Sequence, residues 1–130
     1  MIVLDTHSWF WWINLEHHRF SRLMKAALEG NETLGVSVVS CYEITLEAER
    51  GRLCLPCRAT QWLAEALEPS GVQLLLLSPE IISLAVNLTA AHRNLVGDII
   101  VATTLFYDAK LISLDGVFQH YPELQDRLLE

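Results

Sequence analysis

Four short stretches of this chain are predominantly apolar: Ile2-Val3-Leu4, Leu34 to Val39, Val72 to Leu77 and Lys110 to Leu114. A strand with one wet face alternates apolar and polar residues, whereas a strand buried on both faces does not. These runs therefore belong to a sheet covered on both sides. The segments between them carry helical signatures. Trp9, Trp12 and Ile13 share one side of a helix, and Ser21 to Glu29 reads as an amphipathic helix with Leu23, Ala27 and Leu28 inward and Gly30 ending it. Ser40-Cys41-Tyr42-Glu43 has the capping-box pattern of a helix start, closed by Gly51; Ala59 to Leu67 is helical; Ser78-Pro79-Glu80 opens a helix to about Asn87. After a loop at His92-Arg93-Asn94, Gly97-Asp98 opens a helix through Phe106. This alternation predicts an α/β fold, a three-layer α/β/α sandwich around a central parallel sheet of four to five strands, in a single domain over residues 1–130.

Several function classes are excluded early. Apolar stretches such as Gln73 to Leu77 fall far short of the roughly 20 residues a membrane helix requires, so no membrane association is expected. Asp5 interrupts the first apolar run and no basic segment precedes it, which argues against a secretory signal and for a cytoplasmic protein. Cys41, Cys54 and Cys57 are too few for a disulfide framework, and the Cys54–Cys57 spacing lacks a second pair to complete a zinc site, so they are expected to be reduced, structural thiols. Net charge is −7, from 16 acids against 9 bases. Any nucleic-acid function must therefore work through something other than a basic face. Arg19, Arg22 and Lys25 read as a solvated helix face, and His7, His17, His18, His92 and His120 show no ligand spacing. The aromatics Trp9, Phe10, Trp11 and Trp12 exceed what one short helix face buries, leaving core and interface roles both open.

The acids carry the functional signal. In a doubly wound parallel sheet, the loops leaving the carboxyl ends of the strands line the edge where ligands bind. Asp5 follows the first strand, Glu43 lies in the first turn after the second, and Asp115 follows the fourth. Asp98 reaches the same edge because the helix it opens runs antiparallel to the strand it feeds. Each has a bland local explanation: a capping box for Glu43, a favourable helix dipole for Asp98, an Asp-Gly turn for Asp115. Convergence is harder to explain away, since two carboxylates about 4 Å apart repel by roughly 4 kcal/mol at an effective dielectric of 20. A hard divalent ion such as Mg²⁺ removes that cost and suggests phosphodiester chemistry.

Three segments, "MIVLDTHSWFWW", "VSVVSCYEITLEAERGRLCLP" and "GDIIVATTLFYDAKLISLD", agree in order and spacing with one family. The chain resembles the PIN-domain ribonucleases, and within them the VapC-type toxins of toxin–antitoxin pairs. The resemblance implies a PIN-like fold and a ribonuclease dependent on Mg²⁺ or Mn²⁺. It matches Asp5, Glu43, Asp98 and Asp115 to the family's catalytic, metal-holding quartet, with Asp5 and Asp98 as direct ligands. Thr6 and Ser113 fall where relatives carry supporting hydroxyls. Ile99 stands where many relatives have Arg after the third acid. Implied partners are an RNA substrate, a VapB-type antitoxin whose tail occludes the groove, and a second copy in a homodimer. The competing expectation is a catalytically inactive binding module whose acidic pocket captures a basic protein segment. An aspartyl-phosphate enzyme fits poorly, because His7 stands where a second Asp is needed.

Overall fold

A computed structural model describes residues 1–90 and 94–130; His92 and Arg93 of the expected loop lie outside the described residues. The described chain forms one five-stranded sheet of β1 (Ile2–Leu4), β2 (Leu34–Ser37), β3 (Val72–Leu75), β4 (Lys110–Ile112) and β5 (Leu128–Leu129), in the order β3-β2-β1-β4-β5. Every pairing is parallel. The helices are α1 (Thr6–Ile13), α2 (Arg22–Leu28), α3 (Val38–Glu49), α4 (Ala59–Glu65), α5 (Pro79–Val86) and α6 (Leu95–Phe106). The expected sandwich is thus present, with β5 added beyond the four apolar runs.

Alternation along β1 sorts the core into two layers. Ile2 and Leu4 pack with Trp9, Phe20, Met24, Ile44 and Trp62, whereas Val3 packs with Leu75, Ile100, Leu111, Phe118 and Leu124. β1 is buried on both faces because it is central, which is why its sequence does not alternate. Gly35 of β2 meets the second layer: a Cβ there would stand 2.9 Å from Leu75 Cδ1, so glycine is what lets Leu75 pack flat on the sheet.

The aromatic run divides. Trp9 is fully buried, its indole N–H donating to the Ala66 carbonyl at 2.9 Å and its ring standing edge-on to Trp62. Phe10 joins the same core. Trp11 and Trp12 are half-buried and carry polar rings and cations instead: Arg19 lies 4.5 Å over Trp11, and His17 stacks on Trp12 at 4.4 Å.

Four local expectations are corrected. The second strand ends at Ser37, whose hydroxyl accepts the Val39 N–H and caps α3, so Ser40 lies inside the helix and there is no Ser40–Glu43 capping box. Packing of Val39 beneath α5 and α6 overrides the strand preference of a β-branched pair. The third and fourth strands stop at Leu75 and Ile112, leaving Leu76, Leu77 and Leu114 exposed. α6 begins at Leu95 under an Asn94 cap rather than at Gly97. On α2 it is Met24 that points inward with Leu28, while Leu23 is 58% exposed.

Candidate functional site

The strand order reverses between β1 and β4, since the chain moves from β1 outward to β3 on one side and continues through β4 to β5 on the other. A crevice forms at the carboxyl ends of strands flanking such a reversal. Asp5 leaves β1 there, and Ser113 and Asp115 follow β4 there. The backbone knits the two strand ends together, the Asp5 N–H donating to the Ile112 carbonyl at 3.2 Å.

Asp5 caps α1. Its Oδ1 accepts the Ser8 N–H at 3.0 Å and its Oδ2 accepts the Ser113 hydroxyl at 2.6 Å. The carboxyl is only 4% exposed. Burial pushes its pKa above the usual carboxylate range, outweighing the bonds from Ser113 and Ser8 and the nearby His7, all of which pull the other way. Ser113 is itself shared, because its oxygen accepts the Asp115 N–H at 3.0 Å. Asp115 is exposed and spends Oδ1 on capping the short 3-10 helix Gly116–His120 through the Val117 N–H. One serine hydroxyl therefore couples the first acid to the turn bearing the last.

Glu43 arrives by a different tie. The Thr6 hydroxyl, one residue beyond Asp5, donates to Ser40 Oγ at 2.9 Å, with both residues buried. Ser40 lies one helical turn before Glu43, so this bond clamps the start of α1 to the stretch of α3 that presents the half-buried Glu43. Asp5, Glu43 and Asp115 line one small cleft of about 60 Å³ together with Thr6, His7, Asn94, Val96, Gly97, Ile100 and Phe118. Asp98 is not part of that lining, but its neighbour Gly97 is. Asp98 stands in the first turn of α6, 5% exposed, and accepts the Tyr121 hydroxyl on Oδ1 at 2.7 Å. Ile99 packs in an apolar cluster with Ile81, Ala85 and Ala102, so no cation comes from that position.

The donors are oxygens, and three of the four acids line one cleft with the neighbour of the fourth, which suits a hard cation. Among the described residues no three His, Cys, Asp or Glu side chains stand close enough to enclose an ion by themselves. Mg²⁺ does not require such a cage, because it keeps several waters and takes one or two protein carboxylates. Sequence reasoning missed Tyr121, which no local pattern links to Asp98, and Asn94, which caps α6 through the Gly97 N–H at 3.1 Å. Gly97 was the available signal: a glycine inside a helix often marks a close approach of something else.

Comparison with known proteins agrees with this architecture. The family described as "PIN domain" matches residues 2–124. "Ribonuclease VapC22" of Mycobacterium tuberculosis is 28% identical over 115 residues, covering 88% of this chain and 86% of that protein. A structure described as "Toxin-antitoxin complex from Klebsiella pneumoniae" superposes with a TM-score of 0.64 at 21% identity, covering 100% of this chain and 97% of that one, and so shares the fold. With the family match running from β1 through Leu124, the chain belongs to the PIN-domain family.

Proposed function

We propose that this protein is a metal-dependent endoribonuclease and the toxin of a toxin–antitoxin pair, hydrolysing RNA phosphodiester bonds at the crevice between β1 and β4. The observation that carries the reading is the buried Asp5 carboxylate, hydrogen-bonded through Ser113 to the Asp115 turn and lining one cleft with Glu43 and Asp115. A buried carboxylate whose pKa is raised by desolvation is expensive as an anion, and a nearby cation is the natural remedy. Asp5, Glu43, Asp98 and Asp115 would hold Mg²⁺ or Mn²⁺, with Asp5 and Asp98 as the direct ligands. When bound, the ion supplies Lewis acidity and positive charge at the scissile phosphate.

The chain's own residues provide the rest. Ser113 and the Ser8 N–H fix the Asp5 carboxylate, and the Thr6–Ser40 bond fixes the distance between α1 and the helix bearing Glu43. His7 and Asn94 bring polar side chains to the cleft lining, where they can meet phosphate or ribose oxygens. In a chain of net charge −7 these donors and the ion replace a basic face.

The partners follow from the same reading. A VapB-type antitoxin finds apolar surface in Trp11, Trp12 and the exposed Leu15, Leu23 and Tyr42 on α1 to α3. A homodimer finds it in the exposed Leu76, Leu77, Ile82, Leu84 and Val86, after β3 and on α5. No helix among the described residues is long and apolar enough to cross a membrane, and we place the protein in the cytoplasm.

The test is RNA cleavage by purified wild type and Asp5→Asn with and without Mg²⁺ or Mn²⁺. Wild type should cut only with the ion, and the variant should lose at least about 100-fold in rate. Equal cleavage by the two, or binding of a basic peptide with no cleavage of any RNA, overturns the reading.

A further inference from the structure

Tyr121 lies between two short 3-10 helices, Gly116–His120 and Pro122–Leu124, and its hydroxyl donates to Asp98 Oδ1 at 2.7 Å across 23 residues of sequence. The tyrosine is 3% exposed and the aspartate 5%. Buried carboxylates need donors, and an O–H to carboxylate bond is among the strongest available. The surroundings are shaped to permit this one. The Tyr121 ring stacks on Phe118, and Phe118 lines the acidic cleft, so the phenol is held from the cleft side as well as by Asp98. Gly97 occupies a helical position where glycine costs about 1 kcal/mol relative to alanine. A Cβ there would lie 3.1 Å from the Asn94 side chain and 3.4 Å from the Tyr121 hydroxyl. The glycine thus lets the Asn94 cap close tightly over the turn that carries Asp98, with the phenol in ordinary contact beside it.

We propose that Tyr121 is a positioning residue of this site, its hydroxyl holding the Asp98 carboxylate in the orientation that binds the divalent ion. The inference rests on the reading of Asp98 as a metal ligand. It adds a residue from outside the acidic quartet, supplied by the segment between β4 and β5. Groups that orient metal ligands typically change metal affinity by about 10- to 100-fold when removed, with little effect on parts of the substrate they do not touch.

Tyr121→Phe removes only the hydroxyl. Mn²⁺ binding to wild type, Tyr121→Phe and Asp98→Asn is measured by calorimetry without RNA, and cleavage is measured over a Mn²⁺ series. Tyr121→Phe should fold, bind Mn²⁺ about tenfold more weakly, and recover its cleavage rate at high Mn²⁺ with KM for RNA unchanged. Mn²⁺ affinity equal to wild type overturns the role of Tyr121 alone. Absence of Mn²⁺ binding in wild type overturns the metal-site reading and this inference with it, and shows in a different arm. Should Tyr121→Phe fail to fold, Tyr121→His carries the test, since it keeps a ring with an N–H donor but shortens its reach to Asp98. Weakened Mn²⁺ binding there supports the role, and unchanged binding overturns it.

Discussion

The Ser113 hydroxyl donates a 2.6 Å hydrogen bond to Oδ2 of Asp5 across 108 residues of sequence, joining the ends of β4 and β1 at the reversal of the sheet. The same oxygen accepts the Asp115 N–H. Ser113→Ala removes both contacts and leaves a buried carboxylate short of a donor, which costs about 1–3 kcal/mol. Urea denaturation should show a lower midpoint with an unchanged slope. Ser113→Thr keeps the hydroxyl and should recover most of the loss; an alanine variant as stable as wild type would show that the bond is not formed in solution.

Asp5 makes a prediction of opposite sign. Burial raises its folded pKa above that of an ordinary aspartate, so the folded state holds that proton more tightly than the unfolded chain does. The resulting stability is fully present below the unfolded value and lost as pH rises through the folded one. At neutral pH without metal, Asp5 is therefore a liability. Asp5→Asn keeps an oxygen for the Ser8 N–H and presents an amide to Ser113, so its Tm should exceed that of wild type by about 2–5 °C, a shift typical of about 1 kcal/mol in a domain of this size. The gap should close as pH falls toward 4 and also on adding Mg²⁺, which stabilises only the carboxylate form. A lower Tm for Asp5→Asn in chelator at pH 7 would contradict this account.

Gly35 tests the sheet rather than the site. An alanine there brings a Cβ to 2.9–3.3 Å from three Leu75 side-chain atoms, and Leu75 is 1% exposed with nowhere to move cheaply. Gly35→Ala should destabilise by about 1–3 kcal/mol through overpacking. Combining it with Leu75→Val, which gives back volume at the contact, should cost less than the sum of the single changes, a non-additivity that thermal denaturation resolves.

Much of this arrangement was legible in the chain because long-range burial leaves a periodic trace. β1, β2 and the central part of β4 announce themselves by lacking alternation, and Asp5 stands out because it ends such a run. What stayed hidden was settled by tertiary contact. Val38 and Val39 look like strand but are drawn into α3, and Met24 displaces Leu23 from the inner face of α2 because helix phase, not apolarity, decides which side chain meets Phe20 and Trp9. The two-residue β5 is too short to show a pattern. The Tyr121–Asp98 bond leaves only the oblique mark of Gly97.

Asp115 allows the local and functional readings of one residue to be separated. Its Oδ1 caps the 3-10 helix Gly116–His120, so the turn role that sequence alone suggested does exist. Asparagine caps as well as aspartate, whereas alanine loses the cap at a cost of about 1 kcal/mol. If Asp115 served only the turn, Asp115→Asn would be silent in both stability and cleavage. If its charge also serves the ion, Asp115→Asn should keep the wild-type Tm in chelator yet lose the metal-induced rise in Tm and at least about tenfold in cleavage rate. Asp115→Ala should lose those and, in addition, a few degrees of Tm in chelator. Paired melting curves with and without Mn²⁺ for both variants distinguish the cap from the charge, because only the cap acts when no ion is present.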